Sequence, residues 1–191
     1  MQMLYTGKGD NGTTQILGAC DQRMSKSSVV AEALGTLDEL NSFLGVIKVN
    51  PRAREIVVQG GVGATRTVAE VVGAVQQNLF IVQAEVAGAD KHITEEKVHR
   101  VEAIINAIEA ELPPIKSFFV SGGTELAALI DFSRTLSRRA ERRVVGVAEE
   151  GKVSVGKETL AYLNRLSSLL YALARQTNHK SGITEEPPTY K

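Results

Sequence analysis

The sequence has few of the residues used for metal, disulfide or nucleophile chemistry. Its 191 residues include one cysteine, three histidines and no tryptophan. The single cysteine, Cys20, cannot form a disulfide within the chain, and His92, His99 and His179 are scattered, without the spacing of a zinc site. No hydroxyl residue lies in a recognisable nucleophile elbow. These absences argue against zinc chemistry and against acyl transfer.

Long apolar runs and an excess of one charge are also missing. No apolar run reaches the roughly 20 residues needed to span a bilayer, and the N-terminus lacks the apolar core of a signal peptide. Twenty-two basic residues balance 22 acidic ones, so no overall basic field favours nucleic acid. We therefore expect a cytoplasmic protein that binds neither membranes nor nucleic acid.

The composition is nevertheless that of a folded domain. The chain is 43% hydrophobic and 23% charged, which is enough to bury a core at this length. It has no internal repeat and no low-complexity stretch. We expect one domain over residues 1–191, with a glycine-rich N-terminal loop over 1–24, a helical bundle over 25–180 and a tail over 181–191.

Apolar residues recur at three- and four-residue spacing in five segments, which is typical of amphipathic helices. The segments cover about 26–48, 64–87, 95–111, 125–150 and 156–179. Residues 51–63 are expected to be a loop, and Gly60 and Gly61 mark a break before the second helix. Thr94 and Thr124 are the expected N-caps of the third and fourth helices. Long helices joined by short loops predict an all-α, up-and-down five-helix bundle with little β-structure.

The N-terminal stretch YTGKGDNGTT combines glycines, a lysine, an acid and hydroxyls. Glycines let backbone amides approach an anion, lysine supplies a positive charge, and a carboxylate with hydroxyls can hold Mg²⁺. The order of residues is not that of a Walker A loop, and an ordinary hairpin turn is the alternative. Lys26 follows shortly after. The candidate phosphate-binding residues are Thr6, Gly7, Lys8, Gly9, Asp10, Gly12, Thr13, Thr14 and Lys26.

The fourth helix contains five arginines and one glutamate within ten residues. These are Arg134, Arg138, Arg139, Glu141, Arg142 and Arg143. At about 100° per residue, Arg134, Arg138 and Glu141 share one face that borders the apolar stripe. Charges at this edge lose hydration unless they have a partner, which would be an acid on a neighbouring helix or an anionic ligand. A solvated face with ion pairs is the alternative.

Polar residues also interrupt the apolar pattern of the first and fifth helices. Asp38 and Asn41 lie three residues apart at the edge of the first helix, where a buried acid would pair with Arg134 or Arg138. Two polar residues on an exposed side are the alternative. Asn164 belongs either to a polar network or to a ligand site. Many cations, a glycine loop and few acid–base groups suit a reaction that depends on positioning and charge stabilisation.

Together these segments resemble the PduO-type ATP:cob(I)alamin adenosyltransferases from Tyr5 to about Glu186. The resemblance implies a ferritin-like five-helix bundle, a homotrimer and active sites at subunit interfaces. It implies ATP with Mg²⁺ and cob(I)alamin or cob(II)alamin as ligands, with a reductase and a cobalamin-dependent acceptor enzyme as further partners. The matching motifs are TGKGDNGTT, Lys26, GTLDELNSFLG, Phe118 with Ser121, Gly122 and Gly123, RTLSRRAERRV, and YLNRLS.

The resemblance assigns one set of residues to the nucleotide. The glycine loop and Lys26 would hold the triphosphate of ATP, and Arg138 and Glu141 would hold the rest of the nucleotide. Asn164 would join them, and Thr6 and Glu141 would lie beside the Mg²⁺.

A second set is assigned to the corrin. Asp38 and Arg134 would form a salt bridge beside it, and Asn41 would lie close by. Phe118 would occupy the lower face of the corrin and keep water and the nucleotide base away from cobalt. The expected catalytic residues are therefore Asp38, Phe118, Arg134 and Arg138.

The sequence departs from the family at a few positions. Asp131 lies where the family often has His, Ser168 where it usually has Asp, and Ser121 where Pro is frequent. Gly7 replaces a frequent basic residue, although Lys8 follows it. The expected activity is transfer of the 5′-deoxyadenosyl group of ATP to cob(I)alamin. The alternatives are a non-catalytic carrier or sensor that binds ATP and cobalamin, and a structural helical oligomer.

Overall fold

The computed structural model describes residues 5–16, 23–60 and 65–190, and these ranges are mainly helical. The helices are α1 Val29–Val49, α2 Pro51–Glu55, α3 Val68–Val86, α4 Glu95–Glu111, α5 Glu125–Glu150 and α6 Lys157–Lys180. Helices α1, α3, α4, α5 and α6 occupy the five segments that the periodicity predicts, whereas α2 is short and was not predicted. Cys20 and Gly61 lie outside the described residues.

Two small antiparallel hairpins accompany the helices. Strand β1 (Thr13–Gln15) pairs with β2 (Arg23–Ser25), and β3 (Val57–Gln59) pairs with β4 (Thr65–Thr67). The first hairpin lies in the N-terminal segment expected to be a structured loop. In the second hairpin, β3 lies within the segment expected to be a loop, and β4 lies where the second predicted helix was expected to begin. Val58 is fully buried between two exposed neighbours, the alternation of a strand with one face on a core.

A capping box explains why α3 begins later than the expected residue 64. The Thr67 hydroxyl accepts a hydrogen bond from the Glu70 amide at 3.2 Å, and the Glu70 carboxylate accepts one from the Thr67 amide at 2.6 Å. Together these bonds satisfy two amides that the helix itself leaves unpaired. The pattern Thr-x-x-Glu is visible in the sequence and was overlooked there.

The two expected N-caps have different outcomes. Thr124 caps α5 as predicted, accepting a hydrogen bond from the Ala127 amide at 3.1 Å. Thr94 is the N-cap residue of α4 as predicted, but its side chain makes no cap hydrogen bond. Lys97 stands at the position where a capping box needs an acceptor, and its ammonium group instead donates to Asn78 Oδ1 at 2.8 Å.

The long helices are arranged around α5 and α6. Helix α5 packs between α1 and α6, α3 packs on the other side of α1, and α4 packs on α6. Leucines from α1 and α6, including Leu37, Leu44, Leu163 and Leu170, are fully buried in the core. Burial of each such side chain stabilises the fold by about 1.5–3 kcal/mol. No helix in the described ranges has the length and apolar character required to cross a membrane.

A partly buried polar network joins α3, α4 and α6. Tyr162 is fully buried, and its hydroxyl accepts a hydrogen bond from Asn78 Nδ2 at 3.1 Å. Burial raises the pKa of the Tyr162 hydroxyl to about 12, so the group is neutral at physiological pH. Because Asn78 also accepts from Lys97, one amide fixes the relative positions of three helices.

The N-terminus of α6 depends on a carboxylate from α3. Its N-cap residue, Gly156, has no side chain to cap the helix. Glu85, which is 2% exposed, accepts hydrogen bonds from the Gly156 amide at 2.7 Å and from the Thr159 hydroxyl. A negative charge is favourable at this end of a helix. Glu85 therefore attaches the start of α6 to the end of α3.

We expect Glu85→Gln to lower the free energy of unfolding by about 2 kcal/mol, because charge-assisted hydrogen bonds to a helix N-terminus are lost. Urea denaturation followed by circular dichroism measures the change. Glu109→Gln, which alters an exposed carboxylate on α4, is the control and should change stability by less than about 0.5 kcal/mol. Equal effects of the two substitutions would contradict the role given to Glu85.

Candidate active site

A cavity of about 640 Å³ lies along the edge where α5 meets α6. Its other walls are the 115–122 segment and Glu185 from the C-terminal tail. Three predicted site residues line it, namely Phe118, Arg134 and Arg138. The lining also includes Ser121, Asp131 and Ser168. Three of the four positions at which this sequence departs from its expected family thus line the same cavity as Phe118, Arg134 and Arg138.

The 115–122 segment presents apolar side chains at the cavity mouth. Phe118 is 80% exposed, and Ile115 and Val120 are also largely exposed. The next residue, Phe119, lies deeper, with its ring 5.2 Å from the guanidinium carbon of Arg175. A group of exposed apolar side chains at a concave surface is typical of a binding site for a large, partly apolar ligand.

Arg134 is held against the cavity wall by two neighbours. Its Nε donates to Asp131 Oδ1 at 2.6 Å and its Nη2 to Asp131 Oδ2 at 3.4 Å. Its guanidinium carbon lies 6.0 Å from the centre of the Tyr171 ring. Burial acts to raise the pKa of Asp131, but hydrogen bonds from Arg134 and Ser121 outweigh it and hold that pKa below its ordinary value. The cavity wall therefore contains an ionised pair, with the arginine side open to a ligand.

The expected salt bridge between Asp38 and Arg134 is not formed within the chain. Arg134 binds Asp131 instead, and Asp38 is exposed on α1. Another acid of α1, Glu39, pairs with the arginine helix through Arg139. Asp38 lies about 100° around the helix from Glu39. In the single chain, Asp38 therefore lies on an exposed side of α1, as the alternative interpretation of the sequence predicts.

Asn41, the other polar residue of α1, is buried at the contact between α1 and α3. It is 6% exposed, and its backbone oxygen accepts a hydrogen bond from Gln76 Nε2 at 3.0 Å. Its side-chain oxygen Oδ1 has no hydrogen-bond partner among the described residues. Asn41 is not part of the cavity lining, so the structure separates it from the other residues expected at the corrin.

Glu141 and Asn164 extend the polar edge by about one turn beyond Arg138. Asn164 Nδ2 donates to Glu141 Oε1 at 3.0 Å, and Asn164 Oδ1 accepts from Arg165 Nη1 at 2.6 Å. Of the two interpretations of Asn164, the structure supports membership of a polar network. Because Glu141 and Asn164 remain accessible at the surface, the same network is also able to contact a ligand.

The glycine loop and Lys26 form a second, separate unit. Gly7 and Gly12 have φ values of 68° and 78°, the left-handed conformation that glycine adopts without strain. The Lys26 amide donates to Gly12 O at 2.9 Å, and Lys26 Nζ lies 3.2 Å from where a Cβ on Gly9 would be. Gly9 thus leaves room for the lysine. No residue of this unit lines the cavity.

Arg23, which sequence reasoning missed, holds the glycine loop together through hydrogen bonds. Arg23 Nη2 donates to the backbone oxygens of Lys8 at 2.6 Å and Thr13 at 2.9 Å, and Arg23 Nε donates to the Thr13 hydroxyl at 2.7 Å. The loop therefore has three cationic side chains, from Lys8, Arg23 and Lys26. A sequence signal was available, because Arg23 lies between two motifs that were both recognised.

Sequence reasoning also missed the attachment of the C-terminal tail. Arg175 is 6% exposed, and its Nε donates to Glu185 Oε2 at 2.8 Å. Its Nη2 donates to the backbone oxygen of Pro113 at 3.1 Å. The Val120 amide donates to the backbone oxygen of Glu186 at 2.8 Å. The sequence predicts only a tail over 181–191, whereas these contacts make part of it a wall of the cavity.

In the described part of the chain, no three His, Cys, Asp or Glu side chains are grouped in a way that could hold a metal ion. A metal that arrives with a phosphate ligand needs only one or two protein oxygens, and such a site would not produce a group of this kind.

The sequence of this chain is similar to those of known proteins. The family model described as cobalamin adenosyltransferase matches residues 4–177. A corrinoid adenosyltransferase of Bacillus subtilis (strain 168) is 38% identical over 184 residues, which cover 94% of this chain and 89% of that protein. The corrinoid adenosyltransferase PduO of Citrobacter freundii is 37% identical over 92% of this chain. The chain spans 50% of the length of that PduO protein.

Solved structures have the same fold. A variant of the PduO-type ATP:corrinoid adenosyltransferase of Lactobacillus reuteri, complexed with cobalamin and ATP, superimposes with a TM-score of 0.83 at 28% identity. The match covers 98% of this chain and 99% of that one. Another variant of the same protein, complexed with ATP, gives a TM-score of 0.81 at 27% identity and covers 97% of this chain and 99% of that one.

We expect Glu185→Gln to lower the free energy of unfolding by about 2 kcal/mol, because the buried Arg175 loses its charged partner. It should also make the tail more sensitive to proteases, as limited proteolysis would detect. Glu186→Gln is the matched control, since Glu186 contributes its backbone oxygen and not its exposed side chain. If Glu186→Gln loosened the tail as much, the Arg175–Glu185 pair would not be the attachment.

Proposed function

Because the chain belongs to the cobalamin adenosyltransferase family, we propose that it transfers the 5′-deoxyadenosyl group of ATP to the cobalt of cob(I)alamin. It is an ATP:corrinoid adenosyltransferase. The observation that supports this function best is the joint presence of the family match and of a cavity lined by Phe118, Arg134 and Arg138.

The reaction needs orientation and charge stabilisation more than acid–base catalysis. Cob(I)alamin is a strong nucleophile, and its cobalt attacks C5′ of the ribose. The C5′–O5′ bond breaks, triphosphate leaves with the bonding electron pair, and cobalt is formally oxidised from Co(I) to Co(III). No protein base is required, and cations near the leaving group stabilise its charge. The arginines of α5 and the cations of the glycine loop suit this requirement.

We propose that the site is completed between chains. The glycine loop with Lys26 forms one unit and the cavity another, and the loop does not line the cavity of its own chain. In a homotrimer with the five-helix bundle of the family, the loop of one chain would hold the triphosphate at the cavity of the next. Arg138, Glu141 and Asn164 would then hold the nucleotide from the cavity side.

The residues present fit a magnesium ion that accompanies ATP. The Asn164 amide uses Oε1 of Glu141, which leaves the other carboxylate oxygen for a ligand. Thr6 offers a hydroxyl on the exposed loop. Mg²⁺ is held mainly by phosphate oxygens and water with one or two protein groups. We propose that Glu141 and Thr6 supply these groups, and that the ion neutralises part of the triphosphate charge.

On the corrin side, we propose that Phe118 covers the lower face of the ring. Its large exposed surface at the cavity mouth supports this role. A ring at this position excludes water and the nucleotide base from cobalt, and removal of an axial ligand makes Co(II) easier to reduce. Asp38, which is exposed on α1, would approach from the neighbouring chain and bind Arg134 there.

The cellular setting is proposed from the reaction. The enzyme needs a reductase that supplies Co(I), and a cobalamin-dependent enzyme uses the product. We place all of these in the cytoplasm. A non-catalytic carrier is the alternative, and no observation favours it, since Asp131 and Ser168 replace neither Phe118 nor the arginines of the cavity.

The direct test is product formation. Purified protein with MgATP and chemically reduced cob(I)alamin should produce the absorbance spectrum of adenosylcobalamin and one triphosphate per turnover. Binding of ATP and cobalamin without product would instead identify a carrier, and the absence of both binding events would leave only a structural role.

We expect Phe118→Ala to slow adenosylation that starts from cob(II)alamin and a reductant on the order of 100-fold, or about 2.7 kcal/mol of barrier. The reason is that water regains access to cobalt. Affinity for ATP and the rate with preformed cob(I)alamin should change much less. Phe80→Ala, which removes an exposed phenylalanine of α3 outside the cavity, is the control. Equal losses with both cobalamin forms would contradict the account of Phe118.

The shared site predicts complementation between inactive chains. Asp38→Asn and Arg134→Ala should each lower turnover, since each removes one side of the pair. Chains of the two variants that are unfolded, mixed and refolded should recover up to about one quarter of wild-type turnover, because a quarter of random interfaces join an intact Asp38 to an intact Arg134. A mixture no more active than the separate variants would show that the two residues do not act across an interface.

A further inference from the structure

We propose that Asp131 is a positioning residue that fixes Arg134 in the orientation in which it receives the corrinoid. The proposal rests on the proposed function of the cavity. The two residues lie three positions apart on α5, so their side chains meet on one face of the helix. Both line the cavity, and their side chains are 14% and 27% exposed.

The geometry of the pair decides which N–H donors of Arg134 bind Asp131 and which remain for a ligand. Asp131 accepts from Nε and Nη2, at 2.6 and 3.4 Å, and so binds one edge of the guanidinium group. A guanidinium group has five N–H donors. Both donors of Nη1 and one of Nη2 remain for another acceptor. Asp131 therefore holds Arg134 without using up its binding capacity.

The pair is also supported from the other sides. The ring of Tyr171 faces the guanidinium group at 6.0 Å, and Arg134 and Ser121 keep the pKa of Asp131 below its ordinary value despite burial. Glu185, the other acid of the cavity lining, is bound to Arg175. Asp131 is thus the carboxylate that the cavity provides for Arg134.

Holding the arginine in advance favours binding. A free arginine side chain samples many rotamers, and fixing it when a ligand arrives opposes binding through lost entropy. Asp131 fixes Arg134 when the chain folds, so the ligand meets a cation that is already in place. The expected consequence is higher affinity for the corrinoid, with little effect on ATP or on the chemical step.

The first test is Asp131→Asn, which keeps the size of the side chain and removes its charge. We expect the KM for cobalamin to rise about tenfold, as for loss of a charge-assisted hydrogen bond, while kcat and the affinity for ATP change less than about twofold. Asp131→Glu restores the charge and should recover most of the affinity. Glu149→Gln, which alters an exposed carboxylate of α5 outside the cavity, is the matched control and should leave KM unchanged.

A double-mutant cycle separates positioning from direct contact. In an Arg134→Ala background, Asp131→Asn should have no further effect on cobalamin affinity. Fully additive effects would overturn the proposal, since Asp131 would then act on the corrinoid itself. A folded Asp131→Asn variant with lower thermal stability but unchanged KM would also overturn it, because the pair would be only structural.

Titration of cob(II)alamin followed by absorbance gives a readout that does not require turnover, and it distinguishes the two proposals. If the wild type forms no adenosylcobalamin, the proposed function fails. If the wild type is active and Asp131→Asn binds cobalamin as the wild type does, only the role of Asp131 fails.

Discussion

Burial of the apolar stripe of α5 between α1 and α6 is the constraint on which the rest of the structure depends. Once that stripe faces the core, the helical period determines where each charged residue of α5 lies. Arg139 meets Glu39 on α1, whereas Arg134 and Arg138 lie at the edge next to α6. One sequence segment thus provides both a structural ion pair and the cations of the cavity. A rotation of α5 about its own axis would therefore move the arginines away from both the ion pair and the cavity.

The cavity next to α5 is assembled from parts that are far apart in the sequence. Arg175 joins α6 to the tail through Glu185, to Pro113, and to the 115–122 segment through Phe119. These contacts keep the exposed ring of Phe118 at the mouth of the cavity. The chemistry proposed for the site requires such an arrangement, since a nucleophilic cobalt needs a dry, oriented approach to C5′ and not a protein base.

The long helices could be predicted from the sequence because each has a strong three- and four-residue period and a clear end, such as Gly151 with φ 71° after α5. The start of α3 could not be placed from periodicity alone, since the capping box at Thr67 sets it. Within the chain Arg134 pairs with Asp131, because that acid lies three residues before it on the same helix; the pairing with Asp38 stays a prediction for the contact between chains. Docking of Glu185 on Arg175 depends on contacts between remote segments, for which the sequence has no periodic signal.

The central claim is that Phe118, the corrin and ATP meet in one site. The most direct measurement is the absorbance spectrum of cob(II)alamin mixed anaerobically with the protein and MgATP. The account predicts the feature of four-coordinate cobalt without its lower axial ligand, present in the wild type and lost in Phe118→Ala. A spectrum identical to that of free cob(II)alamin, measured with protein that is folded and binds ATP, would contradict it.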